Sequence, residues 1–185
     1  MSPTPIIVAL WVVFYTFWLI SAIGVKKAVR VMPKGRLAGL RLAIIIAAIL
    51  LVRFLRKRQV PLIHPSHHVL GVVGLVLCLA GLGFAVWARL HLGRNWGTPM
   101  SLKEGHELVT TGPYQHLRHP IYTGILLALF GSGLTAGLFW LVLFVIVCPY
   151  FVYSAKTEER LMMTQFPDRY PEYRKRTSAL VPFVW

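Results

Sequence analysis

The fold is decided by one stretch of sequence, VLGVVGLVLCLAGLGFAVWARLHL at residues 69–92. It carries no charge before Arg89 and is longer than the roughly 20 apolar residues that a helix needs to cross a bilayer. Small residues recur in it at spacings of four and three, namely Gly74, Cys78, Gly81, Ala85 and Ala88. Such a stripe lies on one face of a helix and lets a second helix approach closely. The stretch therefore predicts a membrane-spanning helix packed tightly against another.

Further apolar runs flank this stretch on both sides. Residues 5–25 form a first predicted span, and residues 37–52 form a short second one. After the span at 69–92, a fourth begins near Pro120 and a fifth ends near Tyr153. The uncharged, glycine-rich residues 131–137 between the last two predict a tight hairpin turn. These runs together predict an all-α integral membrane protein with about five transmembrane helices.

Composition agrees with a membrane location and argues against nucleic acid as a partner. Of the 185 residues, 56% are hydrophobic and only 14% are charged, against about 25% charged in a soluble domain. The formal net charge is +14, but the cations flank the apolar runs, which is typical of membrane topology. Cys78 and Cys148 both lie inside apolar runs, so no disulfide framework is predicted.

The cations also predict an orientation. If the amino terminus is outside, the inner segments 26–36, 89–119 and 156–185 hold 5, 4 and 6 cations, and segment 53–68 outside holds 4. The excess of positive charge places the loop at 93–119 and the tail at 154–185 together on the cytoplasmic side. The four cations of segment 53–68 do not fit this orientation, because it places them outside. The segment is interpreted either as a helix on the membrane surface or as a sign that the second span is re-entrant.

Two clusters of polar residues are candidates for chemistry. All six acidic residues fall between positions 104 and 172, and Glu158 and Glu159 stand where the fifth span meets water. The second cluster surrounds Pro120, a residue favoured at the first position of a helix. Free N–H groups at a helix start favour an anion such as a carboxylate, and Arg118 and His119 stand beside it. This second cluster can also be interpreted as an interfacial anchor of aromatic and basic residues.

Several motifs resemble the signature of the isoprenylcysteine carboxyl methyltransferase family. They are Gly93-Arg-Asn-Trp-Gly97, His106-Glu-Leu-Val-Thr-Thr-Gly-Pro-Tyr114, Arg118-His-Pro-Ile-Tyr-Thr-Gly124, Glu158-Glu-Arg-Leu161, and Tyr170-Pro-Glu-Tyr173 followed by Arg176. The resemblance covers roughly residues 85–185. Phosphatidylethanolamine N-methyltransferases and membrane sterol reductases are similar more distantly.

The resemblance implies an S-adenosylmethionine-dependent enzyme whose cytoplasmic pocket is built from the loop before the fourth span and the C-terminal segment. The positions that match the cofactor pocket are His106, Leu108, Val109, Gly112, Tyr114, His119, Pro120, Tyr122, Glu158 and Glu159. The catalytic positions that it implies are Arg118 and Arg176, of which Arg176 matches an arginine that faces a substrate carboxylate. A single domain follows, with residues 1–68 as an N-terminal helical hairpin and residues 69–185 as the cofactor-binding core.

The chemistry of the cofactor agrees with these residue types. A glutamate can accept from ribose hydroxyls or the amino group, and a tyrosine can face the sulfonium through a cation–π contact. Methyl transfer needs alignment more than acid or base help. A carboxylate acceptor needs no base, whereas a thiol or amine does, and His106 and His119 are the nearest candidates.

The methyl acceptor is predicted only by class, as an amphiphilic or small apolar molecule that enters from the lipid bilayer. The tail reads Arg176-Thr-Ser-Ala-Leu180, where the prenylcysteine enzymes continue into Val-Pro. A prenylcysteine-like carboxylate therefore stands beside a lipid amine or a small thiol as the acceptor. Two further functions stay open, an NADPH-dependent membrane reductase and a non-enzymatic membrane protein. The predicted location is a bacterial or archaeal inner membrane. No metal site is predicted, because His64, His67 and His68 have no cysteine or acidic residue near them in sequence.

Overall fold

The computed structural model of the protein describes residues 3–23, 28–31, 68–96, 101–103 and 107–181, with residues 46, 50, 53, 54 and 57 between them. The predicted second span and the placement of segment 53–68 thus lie almost wholly outside the described residues. The count of five spans, which depends on that second span, stays a prediction.

The described chain is built from helices, with one small sheet. The helices are α1 (Thr4–Ser21), α2 (His68–Leu92), α3 (Pro120–Ala136), α4 (Leu138–Gln165) and the short α5 (Tyr170–Arg176). Two strands, β1 (Ala28–Val31) and β2 (Ser101–Lys103), pair antiparallel. Helices α1, α2 and α4 are long and apolar enough to cross a membrane, and α3 is a shorter apolar helix. The prediction of an all-α membrane protein is confirmed, with this two-stranded sheet added.

The small residues of α2 form its contact with α3, as the stripe predicted. Gly74, Cys78, Gly81, Ala85 and Ala88 are all buried. A Cβ at Gly81 would lie 2.5 Å from the carbonyl oxygen of Gly124 on α3. A Cβ at Gly131 of α3 would lie 2.5 Å from the backbone nitrogen of Cys78. The two backbones therefore touch, and only glycine fits at these positions.

The turn between α3 and α4 is shorter than predicted. Residues 131–136 continue α3, and the chain reverses at Gly137 alone, whose φ is 99°. The prediction of a turn over residues 131–137 was therefore wrong. Gly131 serves the contact with α2, and a Cβ at Gly133 would collide with the Leu141 side chain on α4. These glycines permit close helix packing, so their clustering did not indicate a loop.

Contacts between the loop and the tail show that they share one side of the bundle. Arg118 N donates to Ser178 O at 2.8 Å, and Ser178 N donates to His116 O at 3.1 Å. The strand β2 in the same loop pairs with β1 from the segment after α1. The prediction that loop and tail lie together is confirmed. Which side of the membrane they face stays a prediction.

Candidate functional site

A cavity of about 740 Å³ lies between α1, α3 and α4 and has two chemically different ends. The polar end is formed by the loop before α3, the start of α3, the end of α4 and α5. Its polar side chains include Glu107, Tyr114, His119, Tyr122, Glu158 and Tyr173. The other end is aromatic and includes Trp11, Phe14, Tyr15, Trp18, Phe139 and Trp140. One cavity thus joins a polar compartment to an apolar one.

The start of α3 places two of the polar side chains. Pro120 occupies the first turn of α3 with His119 as the preceding cap residue, which confirms the predicted helix start. His119 N donates to Ala179 O at 3.1 Å, which fixes the backbone just before the helix. His119 and Tyr122, three residues apart, lie on the same face of the helix start, and their rings stack 5.5 Å apart at 5°.

Glu158 joins these two side chains across the cavity wall. The Tyr122 hydroxyl donates to Glu158 Oε1 at 2.6 Å, and His119 Nδ1 lies 3.5 Å from Glu158 Oε2. The Tyr122 ring also stacks on Phe151 of α4, with centroids 4.4 Å apart. Because Glu158 is 22% exposed and lines the cavity, its carboxylate can accept a hydrogen bond from a bound molecule.

Glu159, one residue further along α4, points away from the cavity into an ion-pair cluster. Its Oε1 accepts from Arg118 Nε at 2.7 Å, and its Oε2 lies 3.4 Å from Arg174 Nε. The side chains of Arg118 and Glu159 are only 6% and 10% exposed. Arg118 also donates to the carbonyl of Thr177 and to that of Arg174. The guanidinium of Arg118 is therefore occupied by α4 and the tail.

The electrostatics of this region favour a charged His119. Burial of its ring lowers the pKa of His119, but the hydrogen bond and charge of Glu158 and the nearby charge of Glu159 outweigh burial, so the net pKa is raised. His119 Nε2 lies 3.6 Å from Glu159 Oε1, which is too long for a hydrogen bond. This buried nitrogen has no hydrogen-bond partner among the described residues.

The loop before α3 supplies a further wall of the polar end. A short 3₁₀ turn, Gly112–Gln115, buries Tyr114, and burial raises the pKa of the Tyr114 phenol. Gly112 has a φ of 58°, and a Cβ there would lie 2.7 Å from His91 Cε1. His91 in turn hydrogen-bonds Thr111 Oγ1 at 2.8 Å. Gly112 is thus required both for its backbone conformation and for the close approach of the His91 ring.

The chain after α4 closes the polar end from outside. We call residues 166–181, which include α5, the C-terminal strap. The Tyr173 hydroxyl donates to Tyr114 O at 2.6 Å, and Thr123 Oγ1 donates to Leu180 O at 2.6 Å. Tyr170 and Tyr173 line the cavity, and burial raises the pKa of both phenols.

The structure brings together most of the residues that the sequence singled out. Seven line the cavity: Leu108, Val109, Tyr114, Arg118, His119, Tyr122 and Glu158. Gly112, Pro120 and Glu159 lie directly behind them. His106 lies outside the described residues.

Arg176 is not brought to the cavity. Its side chain is 79% exposed and lies 3.5 Å from Glu172 Oε2 on the outer face of the strap. Tyr170 and Tyr173 line the cavity, whereas Arg176, the last residue of α5, pairs with Glu172 and points outward.

Sequence reasoning did not single out the aromatic end of the cavity. Four of its side chains come from α1, namely Trp11, Phe14, Tyr15 and Trp18. Their spacing of three, four and seven residues places them on one helical face. This aromatic stripe is the signal that could have identified α1 as a wall of the site. The inward tyrosines of the strap, Tyr170 and Tyr173, belonged to a quoted motif but were given no role.

Within the part of the chain that the structure describes, no group of three or more His, Cys, Asp or Glu side chains is placed to hold a metal ion. His64 and His67 lie outside that part of the chain, and His68 is exposed.

Comparison with known proteins gives concordant matches. Residues 69–169 match the model of the family described as phospholipid methyltransferase. The chain is 32% identical over 101 residues to the protein-S-isoprenylcysteine O-methyltransferase of Schizosaccharomyces pombe, which covers 52% of this chain and 43% of that protein. It is 31% identical over 115 residues to protein-S-isoprenylcysteine O-methyltransferase B of Arabidopsis thaliana, covering 60% and 58%. It is 30% identical over 115 residues to the cobalt-zinc-cadmium resistance protein CzcN of Cupriavidus metallidurans, covering 61% and 48%.

A solved structure shares the fold. The eukaryotic intramembrane Ras methyltransferase ICMT aligns with a TM-score of 0.55 and 20% sequence identity, covering 83% of this chain and 55% of that chain. The chain spans about half the length of the curated relatives that it matches.

Proposed function

This chain belongs to the phospholipid methyltransferase family, and from that premise we propose that it is a membrane-embedded methyltransferase. We propose that it uses S-adenosylmethionine and methylates a lipophilic acceptor that enters from the bilayer. The observation that carries the proposal is the single cavity that joins a polar end, around Glu158, His119 and Tyr122, to an aromatic end between α1 and α4. A methyl donor that is polar and an acceptor that is apolar need such a pair of compartments in contact.

The polar end fits the chemical groups of S-adenosylmethionine. Glu158 offers a partly exposed carboxylate to an amino or hydroxyl group. The Tyr122 hydroxyl and His119 Nδ1 hold this carboxylate in place. The ring of Tyr114 can line a sulfonium, and the apolar Leu108 and Val109 can cover the adenosine.

When bound, S-adenosylmethionine supplies an electrophilic methyl group, whose carbon forms a bond to the acceptor while the carbon–sulfur bond breaks and its electron pair returns to sulfur. The residues of this chain would act mainly by alignment. Glu158, fixed by the Tyr122 hydroxyl, would orient the donor. The aromatic walls would exclude water. An acceptor that must lose a proton would need the neutral form of His119, because the protonated ring that the raised pKa favours can only donate.

Arg118 and Glu159 are proposed to position the site, although the sequence had placed Arg118 in a catalytic role and Glu159 in the cofactor pocket. Their mutual hydrogen bond of 2.7 Å and the contacts of Arg118 with the C-terminal strap hold Tyr170 and Tyr173 against the cavity. The outward position of Arg176 gives no support to its proposed contact with a substrate carboxylate. The acceptor therefore stays open between a prenylcysteine-like carboxylate, a lipid amine and a thiol.

The first experiment measures ligand-induced stabilisation of the detergent-solubilised protein. We expect S-adenosylhomocysteine at about 100 times its Kd to stabilise the fold by roughly 2.7 kcal/mol, while NADPH causes no shift. A shift with NADPH alone would favour a membrane reductase instead. The absence of a shift with either ligand would favour a non-enzymatic protein and refute the proposal.

The second experiment identifies the acceptor class by transfer of a radiolabelled methyl group. The panel is S-farnesylcysteine as a carboxylate, phosphatidylethanolamine as a lipid amine, and dodecanethiol as a thiol. A label that resists base in the amine or thiol product indicates methylation of nitrogen or sulfur. A label that base releases from the farnesylcysteine product indicates a methyl ester, and so methylation of oxygen.

We further propose that residues 1–185 act as one domain, because α1 lines the same cavity as α3 and α4. We also propose that the polar end of this cavity faces the cytoplasm. Gln115 in the loop and Asp168 in the strap are both exposed. Cysteine introduced at either position should react with a membrane-impermeant maleimide from the cytoplasmic face of sealed vesicles. Labelling of the two positions from opposite faces would contradict the fold itself.

A further inference from the structure

A buried arginine lies outside the set of residues used so far. Arg89, in the last turn of α2, is only 4% exposed. A buried charge is costly unless the protein compensates it. Its guanidinium donates to Gly93 O at 2.9 Å and to the carbonyl of Ser21, and its Nε–H has no partner among the described residues. The end of a helix, where carbonyls are unpaired, is a favourable place for such a cation.

The same guanidinium also holds an aromatic side chain. The Arg89 Cζ atom lies 4.5 Å from the centroid of the Trp96 ring, a cation–π contact. The edge of Trp96 meets Trp18 of α1, with the rings at 90° and the centroids 5.6 Å apart. Both tryptophans line the cavity.

One side chain therefore connects the end of α1 with the turn after α2, next to the cavity-lining Trp18 and Trp96. The hydrogen bond from Arg89 to Ser21 fixes the end of α1, and the hydrogen bond to Gly93 fixes the turn after α2. The cation–π contact of the guanidinium fixes Trp96. Trp18 packs against both the apolar cluster around Trp11 and the cluster that contains Tyr114 and Tyr122. The wall that Arg89 holds is thus the junction between the aromatic and the polar ends.

We propose that Arg89 is a positioning residue that fixes Trp18 and Trp96 at this junction and so aligns the methyl acceptor. The inference rests on the proposed function, because it needs a donor at the polar end and an acceptor at the aromatic end. Arg89 contacts α1 and Trp96, whereas Glu158, His119 and Tyr122 are held by α3, α4 and the strap. Loss of Arg89 should therefore affect the acceptor more than the donor.

The test compares Arg89→Met and Arg89→Lys with the control Arg160→Met, which changes an exposed arginine on α4. Hydrogen exchange of the protein in nanodiscs should become faster at residues 18–23 and 93–96 in Arg89→Met and stay unchanged in the control. For the best substrate of the acceptor panel, kcat/KM should fall about 10-fold, within the ~100-fold loss of rate that a misplacement of 1 Å can cause. The affinity for S-adenosylhomocysteine should fall less than kcat/KM for the acceptor does, since Glu158, His119 and Tyr122 are held by α3, α4 and the strap. Lysine should restore little, because its compact ammonium lacks the planar fork with which a guanidinium donates to both carbonyls and stacks on a ring.

Unchanged hydrogen exchange at residues 18–23 and 93–96 would overturn the inference. Equal losses for the donor and for the acceptor would also overturn it. Failure of the proposed function has a different signature, since the wild-type protein would then bind no S-adenosylhomocysteine. Hydrogen exchange alone would decide the positioning role if no member of the panel were methylated.

Discussion

Replacement of each adjacent glutamate by glutamine should separate ligand binding from stability at the end of α4. Glu158 faces the cavity, and Glu159 faces Arg118 and Arg174. Glutamine keeps the size of the side chain and one acceptor oxygen but removes the charge. The two substitutions are therefore matched in chemistry, and they differ only in which surroundings lose a negative charge.

The expected changes in ligand affinity and in stability follow from what each carboxylate contacts. In Glu158→Gln the Tyr122 hydroxyl can still donate to the amide oxygen, so stability should change little. A hydrogen bond from a ligand to a charged group is worth about 1.5–3 kcal/mol, so the Kd for S-adenosylhomocysteine should rise about 10- to 150-fold.

Glu159→Gln should instead lower stability. Breaking a buried ion pair costs about 3–5 kcal/mol, and the amide oxygen that remains for Arg118 should reduce this to roughly 2–3 kcal/mol. For a chain of this size each kcal/mol lowers Tm by about 2–4 °C, so we expect a fall of about 5–10 °C.

The assay is calorimetric titration with S-adenosylhomocysteine combined with thermal unfolding in the same detergent. Glu172→Gln is the control, because the ion pairs of Glu172 among the described residues are with exposed cations on the strap. An unchanged Kd in Glu158→Gln would remove that residue from the proposed donor site. An equal fall in Tm for both variants would refute the division of roles.

Three other predictions follow from packing, charge and exposure. Gly81→Ala should destabilise by about 1–3 kcal/mol through overpacking, because its Cβ would lie 2.5 Å from Gly124 O. Gly83→Ala should be nearly neutral, because a Cβ there would meet no atom of the described residues within 4 Å, and unfolding in detergent compares the two variants. His119 has a raised pKa in the folded state, so its stabilisation should be complete below its unfolded pKa of about 6.5 and lost as pH rises through the folded pKa. A Tm difference between wild type and His119→Asn that does not shrink toward alkaline pH would contradict this. Arg176→Ala should keep methylation within about 2-fold, because the side chain is 79% exposed and exposed ion pairs contribute little; a tenfold loss would return it to the site.

The sequence by itself determined the membrane class and the order of the main helices. Runs of apolar residues have few stable alternatives to a helix in a bilayer, so α1, α2 and α4 were predictable without a structure. The small-residue stripe of α2 also determined a close contact, because its spacing places Gly74, Gly81 and Ala88 on one face. Pro120 marked the start of α3 for a local reason, its fixed backbone angle.

Only the tertiary structure decided what each polar residue contacts. Glu158 and Glu159 are equivalent in sequence, but the rotation of about 100° between neighbours on a helix directs one to the cavity and the other to Arg118. The strap likewise turns Tyr170 and Tyr173 inward and Arg176 outward, which a motif of consecutive residues does not specify. The glycines at 131 and 133 looked like a turn because sequence does not show which neighbouring helix lies against them. Contacts between distant segments arise from packing, and local pattern carries no information about their partners.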